Sequence, residues 1–324
     1  MPLRSVDLCV VLPPHDVSIQ MRPSPRLRTC FGLREARCSV ASAPSNDGRP
    51  HSRATLYHDL HMTNRTTPIL VANWKANLAP AEEVALAGEI ANESTRREVQ
   101  PGSLVIAPST LGLVPVASLL AREHGSLQIG IAAQDVSALE PGAQTGESPA
   151  PHLVGIASAV ILGHSERRDI GESDALIGKK VARAVAVGLS PIICVGDRAR
   201  EATTEQRCDE VRAQWEALVA SAAQSGCSIA AIVEAGAFVA YEPVWAIGSG
   251  ESADPELAAR VAAALRGIIS EEIKILYGGS VRAAHAASFF AGEGASRMDG
   301  LLVGGASLSS KSLLDISAAL GTAR

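Results

Sequence analysis

The sequence predicts an α/β chain folded as a closed (β/α)8 barrel of eight parallel strands, and three observations carry that prediction. Short apolar runs alternate with helical stretches eight times across about 250 residues, the spacing of such barrels. Several runs are apolar at consecutive positions, as in Ala159-Val160-Ile161-Leu162 and Pro191-Ile192-Ile193-Cys194-Val195. That pattern belongs to strands buried on both faces. The turn after the first run, at Lys75-Ala76-Asn77, contains no glycine. An open doubly wound sheet, the rival, more often carries a glycine-rich phosphate turn there.

The predicted strands are 69–74, 103–107, 127–133, 157–162, 191–195, 237–241, 273–277 and 299–303. The predicted helices are 80–94, 111–123, 151–153, 174–186, 201–224, 254–270, 281–290 and 312–320, the third being a single turn. Pro80 and Pro255 suit a first helical turn, where a missing N–H costs nothing. Ser173-Asp174 and Asp254 are expected N-caps, and Gly188 is an expected helix stop.

Composition narrows the class. The chain has 324 residues, 47% of them hydrophobic, which is ample for a sizeable core. Aromatics are 3%, so Ala, Val, Leu and Ile must fill the interior. The net charge of −5 excludes a nucleic-acid surface. No apolar run approaches the roughly 18 residues that span a bilayer. The six cysteines show no CxxC spacing, which argues against zinc and fits reduced thiols in a cytoplasmic protein.

Residues 1–61 stand apart. They hold eight Arg, no Lys and five acids, so this piece is +3 while the remainder is −8. They show no sustained period of 2 or 3.6. A targeting peptide, a disordered tail, and translation that starts at Met62 are the three readings; the last is favoured because Met62 directly precedes the first strand. The barrel domain is taken as 67–324.

In a (β/α)8 barrel, functional groups gather where the strands end. The first run ends at Asn73-Trp74-Lys75, placing a cation at a strand tip. The fourth ends at Gly163-His164-Ser165-Glu166-Arg167-Arg168. The sixth ends at Tyr241-Glu242, followed by the apolar loop Pro243-Val244-Trp245-Ala246-Ile247 and by Gly248-Ser249-Gly250. A carboxylate beneath an apolar flap suits a base working under a lid, although an ordinary loop with a solvated Glu gives the same letters. The last two runs end at Gly278-Gly279-Ser280 and Gly304-Gly305-Ala306-Ser307. Paired glycines let backbone N–H groups approach an anion, and a helix starting there adds its positive end. Two such turns at neighbouring exits form a phosphate cup.

Together these exits resemble the triosephosphate isomerase family, over about residues 68 to 320. The carrying motifs are Asn73-Trp74-Lys75, Gly163 to Arg168, Tyr241 to Gly250, Tyr277-Gly278-Gly279-Ser280-Val281 and Gly304-Gly305-Ala306-Ser307-Leu308, in family order. The resemblance implies a proton-transfer isomerase of glycolysis and gluconeogenesis, interconverting dihydroxyacetone phosphate and D-glyceraldehyde 3-phosphate through an enediolate. Glu242 then matches the base, His164 the hydrogen-bonding electrophile and Lys75 the cation beside the anionic substrate. Asn73 is a second polar group there. Glu166 is a helper near Lys75, or alternatively a partner of Arg167 or Arg168. Gly248, Ser280, Gly304 and Gly305 match phosphate contacts, and Leu302 an apolar residue beneath the base. Residues 243–247 match the lid. The resemblance implies no metal and no organic cofactor. Thr145-Gly146-Glu147 match a loop tip that inserts into a second copy, so a cytoplasmic homodimer is expected, with no nucleic-acid or membrane partner.

The chain departs from the family pattern at Ala76, Asp135, Gln144, Asp197, Ser249 and Glu251, and 292–297 looks expanded. An isomerase of a four-carbon ketose phosphate is the alternative activity. A barrel kept only for binding would have lost Lys75, His164 or Glu242, and all three are present.

Overall fold

Eight parallel strands close on one another in the computed structural model, which describes residues 68–100, 102–247 and 251–321. They are β1 (Ile69–Asn73), β2 (Leu104–Ala107), β3 (Gly130–Ala133), β4 (Ala159–Leu162), β5 (Ser190–Val195), β6 (Phe238–Tyr241), β7 (Lys274–Tyr277) and β8 (Gly300–Val303). β1 pairs with β2 through Leu70↔Leu104 and with β8 through Ile69↔Gly300, so the ring has no open edge. The anticipated (β/α)8 barrel is the observed fold. The N-terminal extension 1–61 lies outside the described residues.

The consecutive apolar runs have a direct structural cause. Side chains of a strand alternate between faces. In β1, Ile69 and Val71 fill the barrel interior while Leu70 and Ala72 pack against helices. In β4, Ala159 and Ile161 point inward while Val160 and Leu162 point outward. Both faces are dry, and each fully buried Val, Leu or Ile contributes roughly 1.5–3 kcal/mol.

The crossover helices are α1 (Pro80–Arg96), α2 (Leu113–Glu123), α4 (Asp174–Ala186), α5 (Thr204–Gln224), α7 (Pro255–Ile268) and α9 (Ser310–Gly321), with the shorter α3 (Ser165–Asp169), α6 (Ile229–Glu234) and α8 (Ala283–Ala286) between them. The expected caps are present: the Ser173 hydroxyl accepts from Leu176 N (3.2 Å) and Asp254 Oδ1 from Glu256 N (3.0 Å). Gly188 follows α4 with φ +79°.

Several elements differ from expectation. The third strand begins at Gly130, because 125–127 forms a 3-10 turn and Gln128 turns left-handed. α5 starts at Thr204, where Thr203 caps it and Gln206 Oε1 accepts from Thr203 N (2.8 Å). The expected helix 281–290 divides into α8 and a 3-10 turn, Ala287–Phe290. The expected single turn 151–153 is the 3-10 turn Ala150–Leu153. α3 and α6 were not anticipated. The segment 292–297 holds the 3-10 turn Gly294–Ser296 before β8, at the barrel end opposite the strand exits.

Candidate active site

Glu242 leaves β6 at the mouth of the barrel and is 2% exposed. Its neighbours close in because they are glycines. A Cβ on Gly196 would lie 1.8 Å from Glu242 O, and one on Gly278 would lie 2.9 Å from Glu242 Cγ. Carboxylate oxygen Oε2 accepts from Ser165 N (3.0 Å). Oxygen Oε1 is buried and has no hydrogen-bond partner among the described residues. His164 Nε2 comes within 3.3 Å of it but is not aligned for a hydrogen bond. Beneath them lies Leu302, 3% exposed, on the inner face of β8.

His164 follows β4 and Gly163 and caps α3. Its Nδ1 accepts from Glu166 N (3.2 Å), so a singly protonated ring carries its proton on Nε2, the atom facing Glu242. α3 therefore does two things at once: its first N–H holds Glu242, and its second sets the tautomer of His164.

Lys75 takes a left-handed backbone, φ +53°, which is uncommon for a residue with a side chain. Two buttresses hold it there. Asn73 Oδ1 accepts from Lys75 N (3.0 Å), and Gln134 Nε2 donates to Lys75 O (2.7 Å) and Ala107 O (3.0 Å). Its ammonium donates to Glu166 Oε1 (2.5 Å), whose other oxygen lies 3.7 Å from His164 Nδ1. Glu166 thus faces Lys75. Arg167 pairs instead with Glu172 and Asp135, and Arg168 with Asp174 (2.6 Å). Arg168 also donates to Gly163 O (2.7 Å) and Cys194 O (3.1 Å), joining the ends of β4 and β5. Burial, and then the carboxylate of Glu242, push the Cys194 thiol well up.

Asn73, Lys75, His164, Glu242 and Leu302 line one cavity of about 570 Å³. Its opposite wall is built from the two glycine turns, with Gly278, Gly279, Ser280, Gly304 and Gly305. Lys75 spans the gap, since a Cβ on Gly304 would touch Lys75 Cε at 3.4 Å. After β7 the chain enters the four-residue α8, shorter than the expected helix 281–290, and after β8 it enters a 3-10 turn, Gly305–Leu308, ahead of α9. Gly248 lies outside the described residues, as do Ser249 and Gly250.

The segment that follows Glu242 is tied down near its start, and Ile247 reaches the cavity wall. Val244–Ala246 forms a 3-10 turn. Trp245 Nε1 donates to Asp197 Oδ1 (3.0 Å), Tyr241 Oη donates to Asp197 Oδ2 (2.6 Å), and Arg207 pairs with the same carboxylate. Arg207 also sits over the Trp245 ring, 5.2 Å from its centroid. Asp197 is fully buried, a role its short sequence description as a departure does not reveal. Gln134 likewise escapes sequence reading; its only signal is a polar side chain at the exit of the third strand. Thr145, Gly146 and Glu147 sit far from these groups in sequence order, in the long connection between β3 and β4, where Gly146 turns at φ +91°.

The sequence model described as triosephosphate isomerase matches residues 68–320. The chain belongs to the triosephosphate isomerase family. Similar proteins include the triosephosphate isomerase of Leifsonia xyli subsp. xyli, 39% identical over 257 residues that cover 75% of this chain and 93% of the relative. The triosephosphate isomerase of Alcanivorax borkumensis is 40% identical over 259 residues, 77% of this chain and 97% of the relative. That of Bordetella pertussis is 38% identical over 257 residues, 78% and 96%. The triosephosphate isomerase match ends within α9 and takes in β1 and every strand exit described above. Among the described residues, no helix is long and apolar enough to cross a membrane.

Proposed function

We propose that this chain interconverts dihydroxyacetone phosphate and D-glyceraldehyde 3-phosphate by proton transfer at neighbouring carbons. The observation that carries the reading is the unclaimed oxygen of Glu242, facing a His164 N–H and the Lys75 ammonium across a cavity walled by two glycine turns. A carboxylate base, an uncharged histidine and a closing loop are the established chemistry of triosephosphate isomerases.

The residues divide the work. Glu242 Oε1 removes a proton from the carbon beside the ketone and returns it to the adjacent carbon. The enediolate formed between these steps puts negative charge on two oxygens. His164 Nε2–H donates to them, and Lys75 offsets the summed charge of enediolate and phosphate. Donors already fixed in place lower such a barrier without reorganising. Asn73 supports the loop of Lys75, and Glu166 orients Lys75 and sets the His164 tautomer through its backbone. Gly248, Ser280, Gly304 and Gly305 offer N–H groups to the phosphate. No metal or organic cofactor is needed for these steps.

Residues 243–247 serve as the lid. An open site would let the enediolate's electron pair expel phosphate: the C–O bond breaks, inorganic phosphate leaves, and the remaining three-carbon enol becomes a 2-oxoaldehyde. Covering the intermediate with Val244, Trp245 and Ile247 suppresses that loss.

A homodimer fits the surface. Leu111, Leu139 and Ile170 are 75%, 48% and 71% exposed, and they lie after β2, β3 and β4, three consecutive exits. Apolar side chains clustered this way mark an interface. The tip Thr145-Gly146-Glu147 rises from the same sector and is read as the loop that enters the second copy. The place of work is read as the cytoplasm, in glycolysis and gluconeogenesis.

A coupled assay with dihydroxyacetone phosphate and with a four-carbon ketose phosphate tests the assignment. Turnover of the triose in clear preference is expected, and preference for the four-carbon compound would overturn it.

A further inference from the structure

The cavity that holds Lys75 and Glu242 reaches past the glycine turns. Arg282 and Ala283 line it from the start of α8, and Ser312, Asp315 and Ile316 line it from α9. The sequence itself brings Arg282 there. Val281 is 4% exposed, and Arg282 has an extended backbone, φ −130° and ψ 154°. In such a backbone successive side chains take opposite sides. Packing Val281 into the core therefore turns Arg282 outward, and it is exposed.

The charges along this wall do not cancel in pairs. Among the described residues, two cations, Lys75 and Arg282, and two carboxylates, Glu242 and Asp315, line the cavity. Lys75 is held by Glu166 at the catalytic end. Asp315 is neutralised by its own neighbours, since Oδ1 accepts from Arg97 (2.8 Å) and Oδ2 from Lys311 (2.6 Å). The Arg282 guanidinium has no hydrogen bond or ion pair among the described residues. Burial first, and then the positive charge of Arg282, lower the pKa of His285 three positions on, so the field of the guanidinium reaches its surroundings.

We propose that Arg282 is a further binding residue for the substrate's phosphate, a second cation beside the glycine turns that draws the anion in and holds it there. The proposal rests on the reading of those turns as the phosphate site. Backbone N–H groups of the glycines fix where the anion sits, and the unpaired guanidinium adds a full charge and a planar fork of donors that matches phosphate oxygens. The phosphate is chemically unchanged while the proton moves between carbons. Arg282 therefore holds bound substrate and transition state alike, which affects KM and leaves kcat alone.

Arg282→Gln and Arg282→Lys are compared with wild type in two measurements: isomerisation of dihydroxyacetone phosphate, and titration with inorganic phosphate followed by phosphorus magnetic resonance. Arg282 is exposed and unpaired, so neither change threatens the fold. In Arg282→Gln, KM for the triose and Kd for inorganic phosphate are expected to rise roughly twofold to fivefold at low salt, the worth of an exposed ion pair, with kcat unchanged. The difference should close near 1 M salt, where charges are screened beyond about 3 Å. Arg282→Lys keeps the charge and should restore most of the affinity. Wild-type KM and Kd in Arg282→Gln, a loss that salt does not diminish, a fall in kcat in place of a rise in KM, or equal losses in the Gln and Lys variants overturns the proposal. A wild-type chain that binds phosphate without isomerising the triose overturns the functional reading alone, because the phosphate titration still reads Arg282.

Discussion

His164 Nε2 lies 3.3 Å from Glu242 Oε1, close but out of line, and that oxygen has no hydrogen-bond partner among the described residues. A buried polar atom left unpaired costs on the order of 1–3 kcal/mol, and such an atom calls for an explanation. Here the explanation is chemical. In the proposed mechanism the lone pair of Oε1 is kept for a substrate C–H, and the misaligned N–H is kept for the oxygens beside it.

Lys75 carries the first prediction. Its ammonium pairs with Glu166, which is 57% exposed, so the pair adds little to stability. In the proposed mechanism its weight falls on substrate binding and on the transition state. Lys75→Met is expected to lower kcat/KM roughly 10- to 150-fold, the range for a hydrogen bond to a charged group. Thermal melting should stay near wild type. Wild-type kcat/KM would remove Lys75 from the site.

Asp197 carries the second. It is fully buried and gathers Arg207, Tyr241 and Trp245. Asp197→Ala leaves the Arg207 charge buried without its partner, which costs on the order of 3–5 kcal/mol. Denaturant unfolding should show that loss, and substrate KM should rise because Trp245 is released from the base of the lid. A variant as stable as wild type would contradict the role given to this carboxylate.

Tyrosine titration gives a pH test. Burial pushes the Tyr277 hydroxyl up to about 12, and burial together with Asp197 pushes Tyr241 higher still. The unfolded chain releases such protons near pH 10. Above that, the unfolded state binds fewer protons than the folded one, so stability falls as pH rises. Of the three tyrosines, no more than one should give tyrosinate absorbance below about pH 11 in the folded protein. Two equivalents there would contradict the burial of Tyr241 and Tyr277.

The surface prediction concerns Ile170. Placing a charge on this exposed apolar side chain is harmless to a monomer and costly in an interface. Sedimentation of wild type should report two copies, and Ile170→Glu should shift it toward one. An unchanged single species in both would argue against an interface on this face.

Much of this was legible in the sequence because strand ends announce themselves. Lys75, His164 and Glu242 each interrupt an apolar run, and the barrel topology turns three distant interruptions into one rim. Gly278-Gly279 and Gly304-Gly305 read as a cup for the same reason. What stayed hidden depends on contacts between segments. Ser165–Asp169 is charged and only five residues long, so nothing periodic marks it as the helix that orients His164 and Glu242. Glu166 stands beside Arg167 and Arg168 in sequence, yet Lys75, 91 positions away, is its partner. Gln134 and Asp197 look like ordinary loop residues until the ends of β1, β5 and β6 are brought against them. The 281–290 stretch reads as one helix from its composition, while in the fold it tightens into a 3-10 turn that sets Phe289 against Tyr277.

The most direct test follows the proton itself. Dihydroxyacetone phosphate is incubated with the protein in heavy water, and proton magnetic resonance reads deuterium at the carbon of the aldehyde product that receives the returned proton, the former ketone carbon. The wild-type chain should place deuterium there as it forms the aldehyde, and Glu242→Gln, which keeps the shape and can still accept from Ser165 N, should slow this by about 10²–10⁴-fold. Exchange at the wild-type rate in Glu242→Gln, or none in the wild type, would contradict a carboxylate base at this position.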